Sequence, residues 1–123
     1  MVKNAGRRCL SLKPIDRRPL LTAVLEDNPP VDRVEVAQIE LAPGQATGLH
    51  LHPCPVVGYV AGGAIRFQVE GQAEAILEPG EAFFEPAGAR VLHFDNASNR
   101  QPATFVAAYL LSNGEDRLIV MLQ

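Results

Sequence analysis

The sequence predicts an all-β domain, a barrel or sandwich of short strands, on three observations. Ten glycines and ten prolines fall among 123 residues, and no stretch after residue 28 keeps a 3.6-residue apolar period without one of them interrupting it. Short runs rich in β-branched and aromatic residues fill the gaps. The segment Leu41-Ala42-Pro43-Gly44-Gln45-Ala46 recurs 36 residues later as Leu77-Glu78-Pro79-Gly80-Glu81-Ala82. Proline followed by glycine is the chemistry of a type II turn, because proline fixes φ at its second position and glycine accepts the positive φ at its third. Two such turns, each leading into a strand, describe a pseudo-duplicated β unit, and a jelly-roll barrel suits that pattern.

The strands are expected over residues 34–41, 47–52, 56–61, 64–70, 73–77, 82–84, 91–94, 104–111 and 117–122. Residues 20–25 are read as a further strand. The clearest is Ile65-Arg66-Phe67-Gln68-Val69-Glu70, where apolar and polar side chains alternate as on a strand with one wet face. Runs 104–111 and 117–122 are apolar on both faces, as in central strands or strands covered by a partner subunit. In the second case these strands would lie in a homodimer interface. Residues 1–18 form a basic arm and 19–123 the single barrel domain, since this length suits one core.

Composition narrows the function classes. A hydrophobic fraction of 47% excludes disorder across the whole chain. The longest purely apolar run, residues 105–111, falls far short of the ~20 needed to span a bilayer, so no membrane partner is expected. The first thirty residues hold no apolar stretch of signal-peptide length. Two cysteines, Cys9 and Cys54, are too few for a disulfide scaffold, which makes a reducing, cytoplasmic location the expectation. A net charge of −3 argues against nucleic acid. The six basic residues of the arm (Lys3, Arg7, Arg8, Lys13, Arg17 and Arg18) read as a solvated terminus beside an acidic body.

Three histidines carry most of the chemical interest. His50-Leu51-His52 in a strand sends both imidazoles to one face and Leu51 to the other. Their Cα atoms then sit ~6.8 Å apart, close enough for inward-leaning rings to share a metal ion. Paired histidines on a strand can equally be hydrogen-bonded core residues, so the pair gains meaning only from its surroundings.

Those surroundings are Gly44–Gly63, which reads G-x5-H-x-H-x10-G, and Gly80–Gly88, which reads G-x5-P-x-G. They resemble the two motifs of the cupin superfamily, G-x5-H-x-H-x3,4-E-x6-G and G-x5-P-x-G-x2-H-x3-N. The resemblance spans about residues 34–111 and implies the cupin-type double-stranded β-helix, a jelly-roll barrel. It also implies a divalent metal (iron, manganese, nickel or zinc) held by histidines, and oxygenase-type chemistry on a small organic molecule, with isomerase or lyase chemistry as further options. His50 and His52 match the family's first two ligands. The glutamate position falls on Val56, the second-motif histidine on Val91, and the asparagine on Asp95, beside Asn96. His93 then stands as third metal ligand, displaced by ~7 Å along its strand unless a bulge resets the register.

Cys54 is read as a buried small residue or, alternatively, as a thiolate ligand beside the histidines. Tyr59 and Tyr109 could each offer a phenol to the barrel interior. Glu70, Glu74, Glu78, Glu81 and Glu85 cluster near turns and read as solvated surface. Three functions compete: a metal-dependent enzyme on His50, His52 and His93, a metal-free small-ligand-binding or regulatory module, and a structural homodimer. Valines at two ligand positions are what a loss of metal would look like.

Overall fold

The computed structural model describes residues 14–26 and 29–123. Lys3, Arg7, Arg8, Cys9 and Lys13 of the basic arm lie outside the described residues, while Arg17 and Arg18 are exposed. Nine strands are seen among the described residues: β1 (Arg33–Leu41), β2 (His50–Leu51), β3 (Val56–Gly62), β4 (Ile65–Val69), β5 (Ala75–Leu77), β6 (Ala82–Glu85), β7 (Val91–Asn96), β8 (Ala103–Leu111) and β9 (Val120–Met121). They form two antiparallel sheets in the orders β1-β8-β3-β6 and β5-β4-β7-β2-β9. The all-β jelly-roll expectation holds.

Both Pro-Gly turns have the expected geometry. Gly44 and Gly80 take φ of 72° and 91°, and the Gln45 and Glu81 amides each donate to the carbonyl three residues back, Ala42 and Glu78, at 3.0 Å. In each turn a side chain closes the ring from the other side. Gln45 Oε1 accepts from the Ala42 amide at 2.8 Å, and Glu81 Oε1 accepts from the Glu78 amide at 2.7 Å. The sequence echo is thus a repeated structural device that starts the same loop twice.

The inner faces of the sheets enclose one core. Val56, Val60, Phe83, Phe105 and Ala107 come from the first sheet, and Ile65, Val91 and Phe94 from the second. Phe94 packs against Phe105 at 4.6 Å and against Phe83 at 5.0 Å between ring centroids, so aromatic contacts tie the sheets together. Gly58 allows that closeness: a Cβ there would lie 2.7 Å from the Phe83 ring and 2.0 Å from the Val106 carbonyl oxygen.

Several boundaries differ from expectation. Residues 20–25 form no strand; Leu20 and Leu21 instead border a groove on the outer face of the first sheet with Val57, Tyr59 and Val106. β2 has only two residues because Gly48, at φ 86°, breaks the extended backbone ahead of it. β8 is central, as its two apolar faces predict, but β9 is a two-residue edge strand.

Candidate metal centre

The site is assembled by short-range strand pairing at one end of the barrel. His50 on β2 is paired with Val91 on β7, and His52 follows the strand just before Pro53. Glu85 is the last residue of β6, ahead of Pro86, and is the register partner of Val56 on β3. Phe83 and Glu85 alternate with Ala82 and Phe84, so the carboxylate points to the same inner face as a core phenylalanine. His50, His52 and Glu85 are all buried, and each offers a ligand atom within 4.8 Å of the other two.

Hydrogen bonds select the imidazole atoms that face the centre. Nδ1 of His50 lies 2.6 Å from the Gly48 carbonyl, and Nδ1 of His52 lies 2.6 Å from the Leu118 carbonyl. A carbonyl only accepts, so each Nδ1 carries the proton and each Nε2 is left with its lone pair. Holding Nδ1 by a backbone oxygen is how metal-binding histidines are commonly oriented. His52 Nε2 then lies 3.0 Å from Glu85 Oε1, two electron-rich atoms that need a proton or a cation between them. Burial pulls the His52 pKa down, but the hydrogen bond and charge of Glu85, with the Leu118 carbonyl, outweigh it and hold the pKa above its ordinary value.

Glu85 supplies the sharper test of fit. Its Oε2 is buried and makes no hydrogen bond. An unsatisfied carboxylate oxygen in the interior costs free energy unless something cationic meets it. Two neutral imidazoles and one carboxylate form the donor set that suits a divalent ion with open positions, as in the 2-His-1-carboxylate centres. Two ligand atoms bound side by side in an octahedron at ~2.1 Å lie about 3 Å apart, which is the His52–Glu85 separation. The residues fit a metal ion.

The three side chains face a cavity of about 160 Å³. Its wall is otherwise apolar (Ile39, Val56, Phe83, Phe94, Phe105, Ala107 and Ile119), with Thr47 and Tyr109 adding hydroxyls. The Tyr109 ring lies 5.8 Å from that of His52, centroid to centroid. Burial, then the charge of Glu85, pushes the Tyr109 phenol upward, so it stands as a protonated donor beside the centre.

The structure does not bring His93 to His50 and His52. On the β4–β7 ladder Gln68 pairs with His93 but Val69 pairs with Val91, which leaves Leu92 as an extra, bulged residue. The bulge resets the register, yet in the opposite sense to the one a third ligand needs. Val91 and Phe94 point inward, while His93 and Asp95 share the outer face, with His93 Nδ1 2.9 Å from Asp95 Oδ2. Cys54 also stands apart. It is buried beside Pro53, Ser112 and Glu115 in a different pocket, and burial raises its thiol pKa, against a smaller opposing pull from Leu110. Tyr59 is on the outer face and exposed.

Residues 37–109 match the family model described as a cupin domain. The chain belongs to the cupin family. No curated protein matches this cupin. Among solved structures it is similar to an oxalate oxidase in complex with the substrate analogue glycolate, at 24% identity and TM-score 0.61, over 72% of this chain and 46% of that one. A sugar phosphate isomerase from a cupin superfamily, from Silicibacter pomeroyi, matches at 27% identity and TM-score 0.56, over 66% and 52%. A protein from Thermus thermophilus matches at 36% identity and TM-score 0.55, over 63% and 73%. This cupin thus spans about half the length of the oxalate oxidase and isomerase chains, and the first of these likenesses concerns the fold alone.

Within the family pattern, two departures now have structural explanations. The carboxylate missing at Val56 is present on the adjacent strand, because Glu85 is the residue opposite Val56. The asparagine expected at position 95 appears at Asn96, one residue late, because the bulge at Leu92 adds one residue to the strand. Asn96 is buried and donates to the Ala42 and Gln101 carbonyls at 3.1 and 2.7 Å, tying the strand end to the first Pro-Gly turn. Sequence reasoning missed Glu85 by grouping it with the surface acids of the turns. The signal was its i, i+2 spacing from Phe83, which puts it on the core side.

Proposed function

We propose that this cupin is a metal-dependent enzyme in which His50, His52 and Glu85 hold a divalent ion, iron, manganese, nickel or zinc. The reading places it with oxygenase-type chemistry on a small organic molecule, and an isomerase or lyase would draw on the same centre. The observation that carries it is the buried, unpartnered Glu85 Oε2 beside two histidines whose Nδ1 atoms are already held by the backbone. When bound, the ion supplies Lewis acidity toward substrate oxygens and, as iron or manganese, access to dioxygen. His50 and His52 keep neutral donor atoms facing the cavity, and Glu85 offsets part of the positive charge. The apolar wall keeps water from that side of the site, which strengthens the electrostatic interactions there. Tyr109 presents a phenolic proton to whatever lies beside His52. The sugar phosphate isomerase among its structural neighbours supports enzyme chemistry on a small oxygen-bearing molecule.

Elemental analysis of the untagged protein, as purified and after chelation and reloading, tests the reading. About one equivalent of metal per chain, lost on Glu85→Gln with the fold retained, is the expected result. No uptake of any of the four metals overturns it. One contact favours a second reading, a metal-free ligand-binding or regulatory cupin. His52 and Glu85 approach directly at 3.0 Å and satisfy each other when a proton lies between them. A metal-free protein whose melting temperature rises with a metabolite supports that alternative. A cytoplasmic homodimer completes the proposal, with β8 and the exposed Val34, Val36 and Tyr59 of the outer sheet face at the interface, and light scattering reads the mass.

A further inference from the structure

We infer that the cavity selects a small, mostly apolar molecule bearing a pair of neighbouring oxygens and a single negative charge, such as a deprotonated hydroxyketone, diketone or tropolone-type chelate. This rests on the metal reading above and adds the class of substrate. The argument begins with the charges around the cavity. A divalent ion beside two neutral imidazoles and the one carboxylate of Glu85 leaves one uncompensated positive charge. No lysine or arginine lines the wall among the described residues, so nothing there meets a second negative charge. A monoanion neutralises the site, whereas a dianion leaves a net charge against Phe83, Phe94 and Phe105, and buried charge is costly when unpaired. Arginine and lysine are the usual partners of dicarboxylates and phosphate esters, and neither lines the cavity among the described residues.

Size and polarity point the same way. The cavity of about 160 Å³ is close to the size that holds a benzene ring. That leaves room beside the ligand side chains for one ring or a short branched chain. Beyond the three ligand side chains, Thr47 and Tyr109 are the only hydrogen-bonding side chains on the wall among the described residues, enough to orient one oxygen-bearing end. The rest of the wall rewards a hydrocarbon body.

The test uses full-length protein loaded with cobalt(II), its metal content measured before and after each titration. Tropolone, oxalate and glucose 6-phosphate serve as probes, with binding read by calorimetry and by the visible cobalt spectrum. Tropolone is expected to bind at least tenfold more tightly than oxalate, corrected for each probe's affinity for free cobalt, and glucose 6-phosphate to leave the spectrum unchanged. Ile119 lines the cavity and is 45% exposed, so Ile119→Lys adds a cation at the wall without burying it. That variant is expected to narrow the ratio of tropolone to oxalate affinity by about tenfold. A protein that takes up neither cobalt nor any of the four metals named above overturns the metal reading and this inference with it. Full cobalt loading with oxalate or the sugar phosphate bound as tightly as tropolone overturns the substrate class alone.

Discussion

The barrel carries two histidine–carboxylate pairs of nearly equal length and opposite meaning. His52 and Glu85 approach to 3.0 Å with side chains 7% and 3% exposed, and His93 and Asp95 approach to 2.9 Å with side chains 33% and 18% exposed. The outer pair is made by near neighbours on one strand, i and i+2, and water and salt screen it. The inner pair joins two different elements, and its second carboxylate oxygen has no partner. Distance is nearly the same in both; burial and the company of His50 are what mark the inner pair as the candidate metal site.

Four measurements sharpen or break that contrast. The largest effect concerns metal uptake. Glu85→Gln or His50→Ala is expected to weaken metal affinity about hundredfold or more, since loss even of groups behind the ligands costs roughly 10–100-fold, while His93→Ala changes it less than about twofold. Equal losses at His93 and His50 would erase the distinction between the pairs.

Stability of the metal-free protein comes next. Glu85→Ala strands His52 in the interior and is expected to lower unfolding free energy by about 3 kcal/mol, read from the urea midpoint. Asp95→Ala is expected to cost less, about 1 kcal/mol, because this pair is partly open to water.

The third measurement is pH dependence. Because the His52 pKa is raised in the folded, metal-free chain, its proton stabilises that chain fully below the unfolded imidazole value, and the benefit fades as pH rises through the raised folded value. Metal must displace the same proton, so affinity is expected to climb over that upper window and level off above it. Competition titrations at a series of pH values check this, and Glu85→Gln should shift the climb to lower pH. Smallest of all is a double-mutant cycle on His93 and Asp95. Its coupling, about 0.5 kcal/mol at low salt, is expected to vanish at about 1 M salt.

The same contrast explains what could be read in advance. The fold was legible because its signals are local. Alternation in Ile65–Val69 and the paired Pro-Gly turns depend on neighbouring residues alone, and both recur in the structure. His50 and His52 were legible for the same reason, being two residues apart on an extended segment. The third member of the candidate site was not. Whether His93 faces in or out depends on a single bulged residue, Leu92, that strand periodicity does not reveal. Glu85 looks like one more acid near a turn until β6 is laid beside β3 and its partner proves to be Val56. Residues 20–25 carry strand-like composition but find no strand to pair with, so propensity alone misleads there.

The Val56–Glu85 pairing has a consequence for how such barrels diversify. Two side chains facing each other across a ladder stand only ~5 Å apart on one face, so a carboxylate on either strand can reach the same pocket. Inheritance of chemistry in this fold can therefore follow spatial addresses rather than positions in a linear pattern. A protein engineer could exchange the two side chains as a transplant between adjoining threads of one fabric.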